Sequence, residues 1–345
     1  MHQAKEILLH IGFAKTGTTT IQRAMLTAKS DLLEQGILWP GDEENHYHLA
    51  SIVSENPSGT IQIGRLGLGA SDVASFLEKW RTDLAAEIER CQPQRILLSS
   101  EYLNALNLGE LERLRDFLAP FAERLRILAY IRDPWSLAVS ISQQNLRDGI
   151  WAGPINMAFA ASFARALSRF EQAFAVKADV RVFPDDVLND FVQWIGLDYT
   201  PPKLDRANQR IGLYSACLLT KLNELYPAFG DDGVFLNDRA RGWMVQSVLQ
   251  AYKNEPPIRL SHRSVALIAS KAHEDLDILS QRYFFGKPVF DESRASAKAF
   301  DGDDTLCVER LDSTTLATGL LAANRELARR AVHYYDQRKT SVVPK

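Results

Sequence analysis

The chain has 345 residues, 46% hydrophobic and 24% charged, with 40 Lys and Arg against 43 Asp and Glu and a formal net charge of −3. These fractions exclude a disordered, fibrous or collagen-like chain, and the near balance of charge gives no global attraction to nucleic acid or an anionic membrane. An anionic ligand must then be held by a local site. The first ten residues, MHQAKEILLH, carry no signal-peptide pattern. No stretch nears the roughly 20 apolar residues of a membrane span, and Cys91, Cys217 and Cys307 form neither a disulfide framework nor a zinc pattern. The expectation is a soluble, cytoplasmic protein without a membrane span.

In chain order, EILLHIG (6–12) reads as a short buried strand, followed by a Gly/Thr-rich turn and a helix, TTIQRAMLTAKSDLLEQ (19–35). Ile21, Met25, Leu32 and Leu33 suit the inner face of that helix. A second helix runs from Ser71, as N-cap, to Cys91, and leads through Pro93 to the strand RILLSS (95–100), which ends at Glu101. Next come the helix LERLRDFLAPFAERL (111–125), the strand RILAYIR (126–132) and a helix opened by Asp133-Pro134, where proline suits the first helical position. The helix at 156–175 precedes a fourth strand, DVRVFP (179–184). Strands alternating with helices predict an α/β fold, a P-loop-type parallel sheet with helices on both faces. Beyond Pro201 the patterns are helical, at 211–226, 241–252, 265–284 and 314–335. The expected organisation is an α/β domain with helical additions over 1–289, a polar loop or linker over 290–312, and a C-terminal helix and tail over 313–345.

The chemistry concentrates in Gly12-Phe-Ala-Lys15-Thr16-Gly17-Thr18-Thr19, between the first strand and the first helix. Glycines at such a junction let backbone N–H groups converge on an anion, and the helix N-terminus adds partial positive charge. The nucleotide P-loop places lysine directly after the second glycine. Thr18 stands there instead, and Lys15 lies inside the turn, suited to the reacting end of a shorter anionic chain. A second element is Tyr130-Ile-Arg132-Asp133-Pro134-Trp-Ser-Leu-Ala-Val-Ser140. Arg132 leaves a strand end as a planar fork suited to a phosphate.

HIGFAKTGTTTIQ, with the Arg132-Asp133-Pro134…Ser140 element, resembles the sulfotransferases that use 3′-phosphoadenosine 5′-phosphosulfate (PAPS), in particular their bacterial, carbohydrate-sulfotransferase-like branch. The likeness is specific over about 6–23, 95–103 and 127–146. It implies PAPS as co-substrate, held by Lys15, Thr16, Gly17, Thr18 and Thr19 at the 5′-phosphosulfate and by Arg132 and Ser140 at the 3′-phosphate. The implied product is 3′-phosphoadenosine 5′-phosphate (PAP), with no metal required. Lys15 would act on the leaving group. The implied partner is a small-molecule or glycan acceptor, a hydroxyl of a carbohydrate or glycolipid, and not nucleic acid; the oligomeric state is left open.

For the base that takes the acceptor's proton, Glu101 stands at the carboxyl end of a strand, where ligands gather in open α/β sheets. It could equally cap the next helix or pair with a basic side chain. His46 and His48 in Asn-His-Tyr-His are the alternatives, side by side if that segment is extended. His10 reads as a satisfied core histidine. Trp39, Tyr47, Tyr102 and Trp151 suit either sugar stacking or core packing. No Gly/Lys-rich lid is recognisable; Ser261–Ser264, Phe285–Lys287 and the Arg206, Asn208, Arg210 cluster are the nearest segments. A P-loop kinase or NTPase, and a non-catalytic nucleotide-binding homologue, are the alternative functions.

Overall fold

The computed structural model describes residues 2–57, 60, 63, 66, 70–150, 162–198, 211–229, 239–252, 254–302, 304, 306 and 311–341. Trp151, Arg206, Asn208, Arg210 and Cys307 lie outside them. In chain order the elements are β1 (Ala4–His10), α1 (Thr18–Thr27), α2 (Lys29–Glu34), β2 (Ile37–Leu38), α3 (His48–Ser51), α4 (Ala70–Cys91), β3 (Arg95–Ser99), α5 (Leu108–Leu118), β4 (Ala122–Ile131) and α6 (Pro134–Asp148). They continue with α7 (Phe163–Phe174), β5 (Asp179–Val182), α8 (Val187–Ile195), α9 (Leu213–Leu225), α10 (Arg239–Ala251), α11 (His262–Tyr283), α12 (Glu292–Ser296) and α13 (Ser313–Ser341).

The chain folds as two compact units. The first comprises Met1–Arg132, Ala161–Ala207 and Glu274–Val289; the second comprises Asp133–Ala160, Asn208–His273 and Phe290–Lys345. In the first, the described strands form one sheet in the order β2-β3-β1-β4-β5, every pair parallel. The expected α/β class holds. β1 and β3 are buried on both faces over Ile7–Leu9 and Ile96–Leu98, which is why those stretches read as unbroken apolar runs rather than alternating ones. Leu8, Leu97, Leu128 and Tyr130 share a core with Ile21 and Met25 of α1 and Phe191 and Trp194 of α8. In the second unit, Trp135, Ala138 and Leu146 of α6 pack with Cys217 and Leu219 of α9, Val245 of α10 and Val265 of α11. No described helix is long and apolar enough to cross a membrane.

Several boundaries differ from the expectation. The helix expected over 19–35 is two helices broken at Ala28, and Gly36, at φ 74°, turns the chain into the short strand β2. Helix α4 begins at Ala70, so Ser71 lies inside its first turn rather than at the cap. Helix α5 starts earlier than expected because Asn107 and Glu110 form a reciprocal capping box. It ends at Leu118, two residues before Pro120, and β4 starts at Ala122 instead of Arg126. The expected opening of α6 is present: the Asp133 carboxylate accepts the Ser136 N–H at 2.8 Å and Pro134 is the first helical residue.

Candidate active site

In the first unit, β1 lies between β3 and β4. The chain leaves β1 toward one side of the sheet and later returns to the other, so the carboxyl end of β1 is a topological switch point, where open α/β sheets bind ligands. Three chain segments issue there: residues 11–17 after β1, Ser100-Glu101 after β3, and Arg132 after β4.

The turn after β1 is tightly specified. Gly17, at φ 80°, supplies the left-handed conformation at the start of α1, and a Cβ there would sit 2.9 Å from Phe183 and from Val187. Gly12 makes room for its neighbour: a Cβ would lie 1.9 Å from Thr18 Cγ2. Lys15 also has positive φ, 64°, a region that a residue with a Cβ enters at a cost and that recurs at functional sites. Its backbone is held from behind, since Arg132 Nη1 donates to the Lys15 carbonyl at 2.9 Å. The Arg132 guanidinium lies over the Phe183 ring, 5.4 Å from its centroid. The buried Thr16 hydroxyl donates to the Phe13 carbonyl at 2.7 Å, closing the turn on itself. The first N–H groups of α1, from Thr18 onward, are the donors that any α-helix leaves unpaired at its start.

Glu101 is brought to this turn. The Thr18 hydroxyl donates to Glu101 Oε2 at 2.9 Å, across 83 residues of sequence. The carboxylate makes no capping bond to the 3₁₀ turn Tyr102–Ala105 that it precedes. Of the uses open to it in the sequence, contact with the Gly/Thr turn is the one found. Among the described residues, no other group hydrogen-bonds this carboxylate. Behind Glu101, Ser99 links four segments. Its Oγ pairs with His10 Nδ1 at 2.8 Å and accepts from Gln22 Nε2 at 3.2 Å, and its backbone N–H donates to His46 Nδ1 at 2.9 Å.

The histidines are therefore separated by role. His46 accepts from Ser99 through Nδ1 and donates from Nε2 to the Pro40 carbonyl at 3.1 Å, so both nitrogens are occupied. Burial pushes it down to about 4. His10 is wholly buried and pushed by burial down to about 3, its Nε2 unpaired and its ring in T-shaped contact with Tyr130 and Phe191. It is a core histidine, half satisfied. His48 begins α3, and the segment is not extended, so the pair does not share a face. Its ring stacks on Tyr47 at 3.9 Å and on Trp80 at 5.0 Å between centroids. Burial, with a smaller contribution from His46, pushes His48 down to about 4. Glu43 Oε2 is 3.7 Å from its Nδ1.

Compared with known proteins, the sequence matches no family model and no curated protein. Among solved structures it is similar to the crystal structure of a sulfotransferase from Alicyclobacillus acidocaldarius, at 18% identity and a TM-score of 0.38, covering 59% of this chain and 87% of that one.

Lys15, Thr16, Gly17, Thr18, Thr19, Glu101 and Arg132 all belong to the first unit. Ser140 is half-buried on α6 in the second unit, and its expected part in phosphate binding rests on the sequence motif. Of the aromatic candidates, Trp39 is fully buried, and Tyr47 is engaged with His48. Of the lid candidates, Ser261 is bound to the buried carboxylate of Asp304, and Phe285 stands 96% exposed in a turn with φ 56°. Sequence reasoning missed Phe183, which backs both Gly17 and Arg132, and Asn104, whose amide donates to the Gly12 carbonyl. Neither has a sequence signal, because both act through contacts that only the fold creates. Among the described residues, no cluster of three or more His, Cys, Asp or Glu is arranged to hold a metal ion.

Proposed function

We propose that the chain is a PAPS-dependent sulfotransferase that sulfates a hydroxyl of the carbohydrate or glycolipid class. The observation that carries this is the Thr18–Glu101 hydrogen bond, which sets a strand-end carboxylate beside the turn that bears Lys15. The fit to an anionic donor is physical: a left-handed glycine, a helix start and two cationic residues, Lys15 and Arg132, converge on one sheet edge. When bound, the donor supplies an activated sulfuryl group. In the transfer, the acceptor oxygen forms a bond to sulfur as the bond from sulfur to the phosphate oxygen breaks, and the electron pair of that bond stays on the phosphate. Glu101 takes the acceptor proton on Oε1, with Thr18 fixing the carboxylate through Oε2. Lys15 places positive charge against the departing oxygen, the kind of stabilisation that dominates such transfers. Arg132 holds the 3′-phosphate while its Nη1 keeps the Lys15 backbone in place. The choice of a carbohydrate acceptor follows from the motif likeness and from a glutamate, rather than a histidine, at the base position.

The test is calorimetric titration of the purified protein with PAP and, separately, ATP, first in EDTA and then in Mg²⁺. The expected result is metal-independent binding of PAP that is lost in Arg132→Ala. Because Arg132 also supports the loop, Arg132→Lys is run beside it, with partial binding expected. Preference for ATP that requires Mg²⁺ would overturn the proposal in favour of a kinase or NTPase.

A further inference from the structure

Asn104, which no sequence motif singles out, lies in the 3₁₀ turn directly after Glu101. Its side-chain amide donates to two carbonyls: that of Gly12, at the start of the Gly/Thr turn, and that of Glu101 itself, at 3.2 Å. The orientation of the amide is settled by its partners, because the reverse flip would set its oxygen against two carbonyl oxygens. The consequence is that Oδ1 is buried with no partner, a destabilising arrangement for a polar group. On its other side, the Asn104 carbonyl accepts from Arg169 Nη2 of α7 at 2.9 Å, while Arg169 Nε is itself buried and unpaired. Two orphaned polar atoms on one short chain of hydrogen bonds are unusual in a folded interior. Here they accompany a bond that joins two separate parts of the candidate site.

We infer that Asn104 is a positioning residue: it staples the Glu101 turn to the phosphosulfate loop, so that the base and Lys15 keep a fixed separation, and Arg169 braces the staple from α7. The inference rests on the function proposed above and adds to it a residue outside the family motifs. Its chemical logic is distance. In-line transfer needs the proton acceptor and the leaving-group cation placed together to within about 0.5 Å. The Thr18 hydroxyl fixes the Glu101 carboxylate to the first helical residue. Asn104 fixes the Glu101 backbone to the first residue of the turn. Together they hold the glutamate at both ends. Only a side chain with two donors on one nitrogen, at this reach, serves both carbonyls; aspartate would face them with acceptors alone.

The test compares the natural protein with Asn104→Ala and Asn104→Asp in three measurements: PAP affinity by calorimetry, release of inorganic sulfate from PAPS without added acceptor, and amide hydrogen exchange in the ligand-free state. The expected result for both variants is PAP affinity within about threefold of the natural protein and sulfate release at least about tenfold slower. Hydrogen exchange should rise together in residues 11–18 and 100–106 while β1 and β4 stay protected. Sulfate release within twofold of the natural rate would overturn the inference, as would equal losses in affinity and rate that track a lowered melting temperature. Where release by the natural protein is too slow to measure, exchange decides: a rise confined to 100–106, or none, rejects the staple. Failure of the natural protein to bind PAP would instead remove the parent proposal, and the inference with it.

Discussion

At the scale of single residues, the site divides its labour between groups that face a ligand and groups committed to the protein. The proposed function puts Lys15 and Glu101 in the first kind. Lys15→Ala is expected to slow sulfuryl transfer by on the order of 10²–10³, the usual cost of one transition-state donor, with a small change in melting temperature at most; a discontinuous assay of PAP formation checks this. Full turnover would remove Lys15 from its role. The base is separable by comparing Glu101→Gln with His48→Ala. Loss of a general base costs on the order of 10²–10⁴, and that loss is expected in the glutamine variant alone. The stacked His48, pushed down to about 4 by burial, is expected to lose stability on truncation and to keep its turnover per folded molecule within about threefold. The pH–rate profile of both variants, read beside thermal melts, distinguishes the two outcomes.

At the scale of elements, the loop is a device in which backbone conformation and close packing are the same constraint. Gly17 combines φ 80° with a site where a Cβ would meet Phe183 and Val187 at 2.9 Å. Gly17→Ala is therefore expected to cost about 1–3 kcal/mol, the scale of strain for a non-glycine residue in a sparsely populated backbone region. Because the strain falls at the start of α1, PAP affinity should drop with it. Urea unfolding and calorimetry on the same preparation check both. The His10–Ser99–Gln22 network explains why polar residues flank this loop in the buried strand and helix: Ser99 Oγ ties β1, β3 and α1 together directly behind Glu101. β3, which Glu101 closely follows, is buried from Ile96 to Ser99, and β1, which the turn follows, from Glu6 to His10.

For the molecule as a whole, acid is the expected point of failure. His10 and His46 are buried and neutral, pushed down to about 3 and about 4, whereas in the unfolded chain they titrate near 6.5. A folded-state value below the unfolded one means that the unfolded chain binds more protons. Stability is then lost as pH falls below about 6.5, by roughly 1.4 kcal/mol per pH unit for each such group until its folded-state value is reached. Asp275 of α11 works in the opposite sense. Its carboxylate accepts the N–H groups of Phe163 and Ala164 at the start of α7, yet burial raises it to about 6. Its contribution is present below about 4 and fades as pH rises through 6. Urea unfolding between pH 4 and 7 is expected to show stability rising with pH, more steeply in Asp275→Asn and less steeply in His46→Gln. Unchanged slopes would contradict the burial of these groups.

The alternation of strands and helices, the Gly12–Thr19 turn and the Asp133-Pro134 helix start are legible from the sequence because each is dictated locally: by a continuous apolar run, by a glycine that alone tolerates positive φ, by a proline at the first helical position. Helical propensity misleads at Ala122–Leu125. There Pro120 stops α5, and pairing with β1, Ala4 opposite Ala122 and Glu6 opposite Arg124, draws the residues into β4. β2 is two residues long, too short for any periodicity to register. The use of Glu101 was likewise undecidable from its neighbours, since a carboxylate after a strand can cap, pair or catalyse with equal local fitness. Its hydroxyl partner lies 83 residues away, on a helix brought alongside by sheet pairing. The same holds for His46, consumed by a strand backbone, and for Asn104, whose two acceptors meet only where β1 and β3 lie side by side. Local physics determined which residues form the tight Gly/Thr turn at the start of α1, and long-range packing decided which side chains meet it.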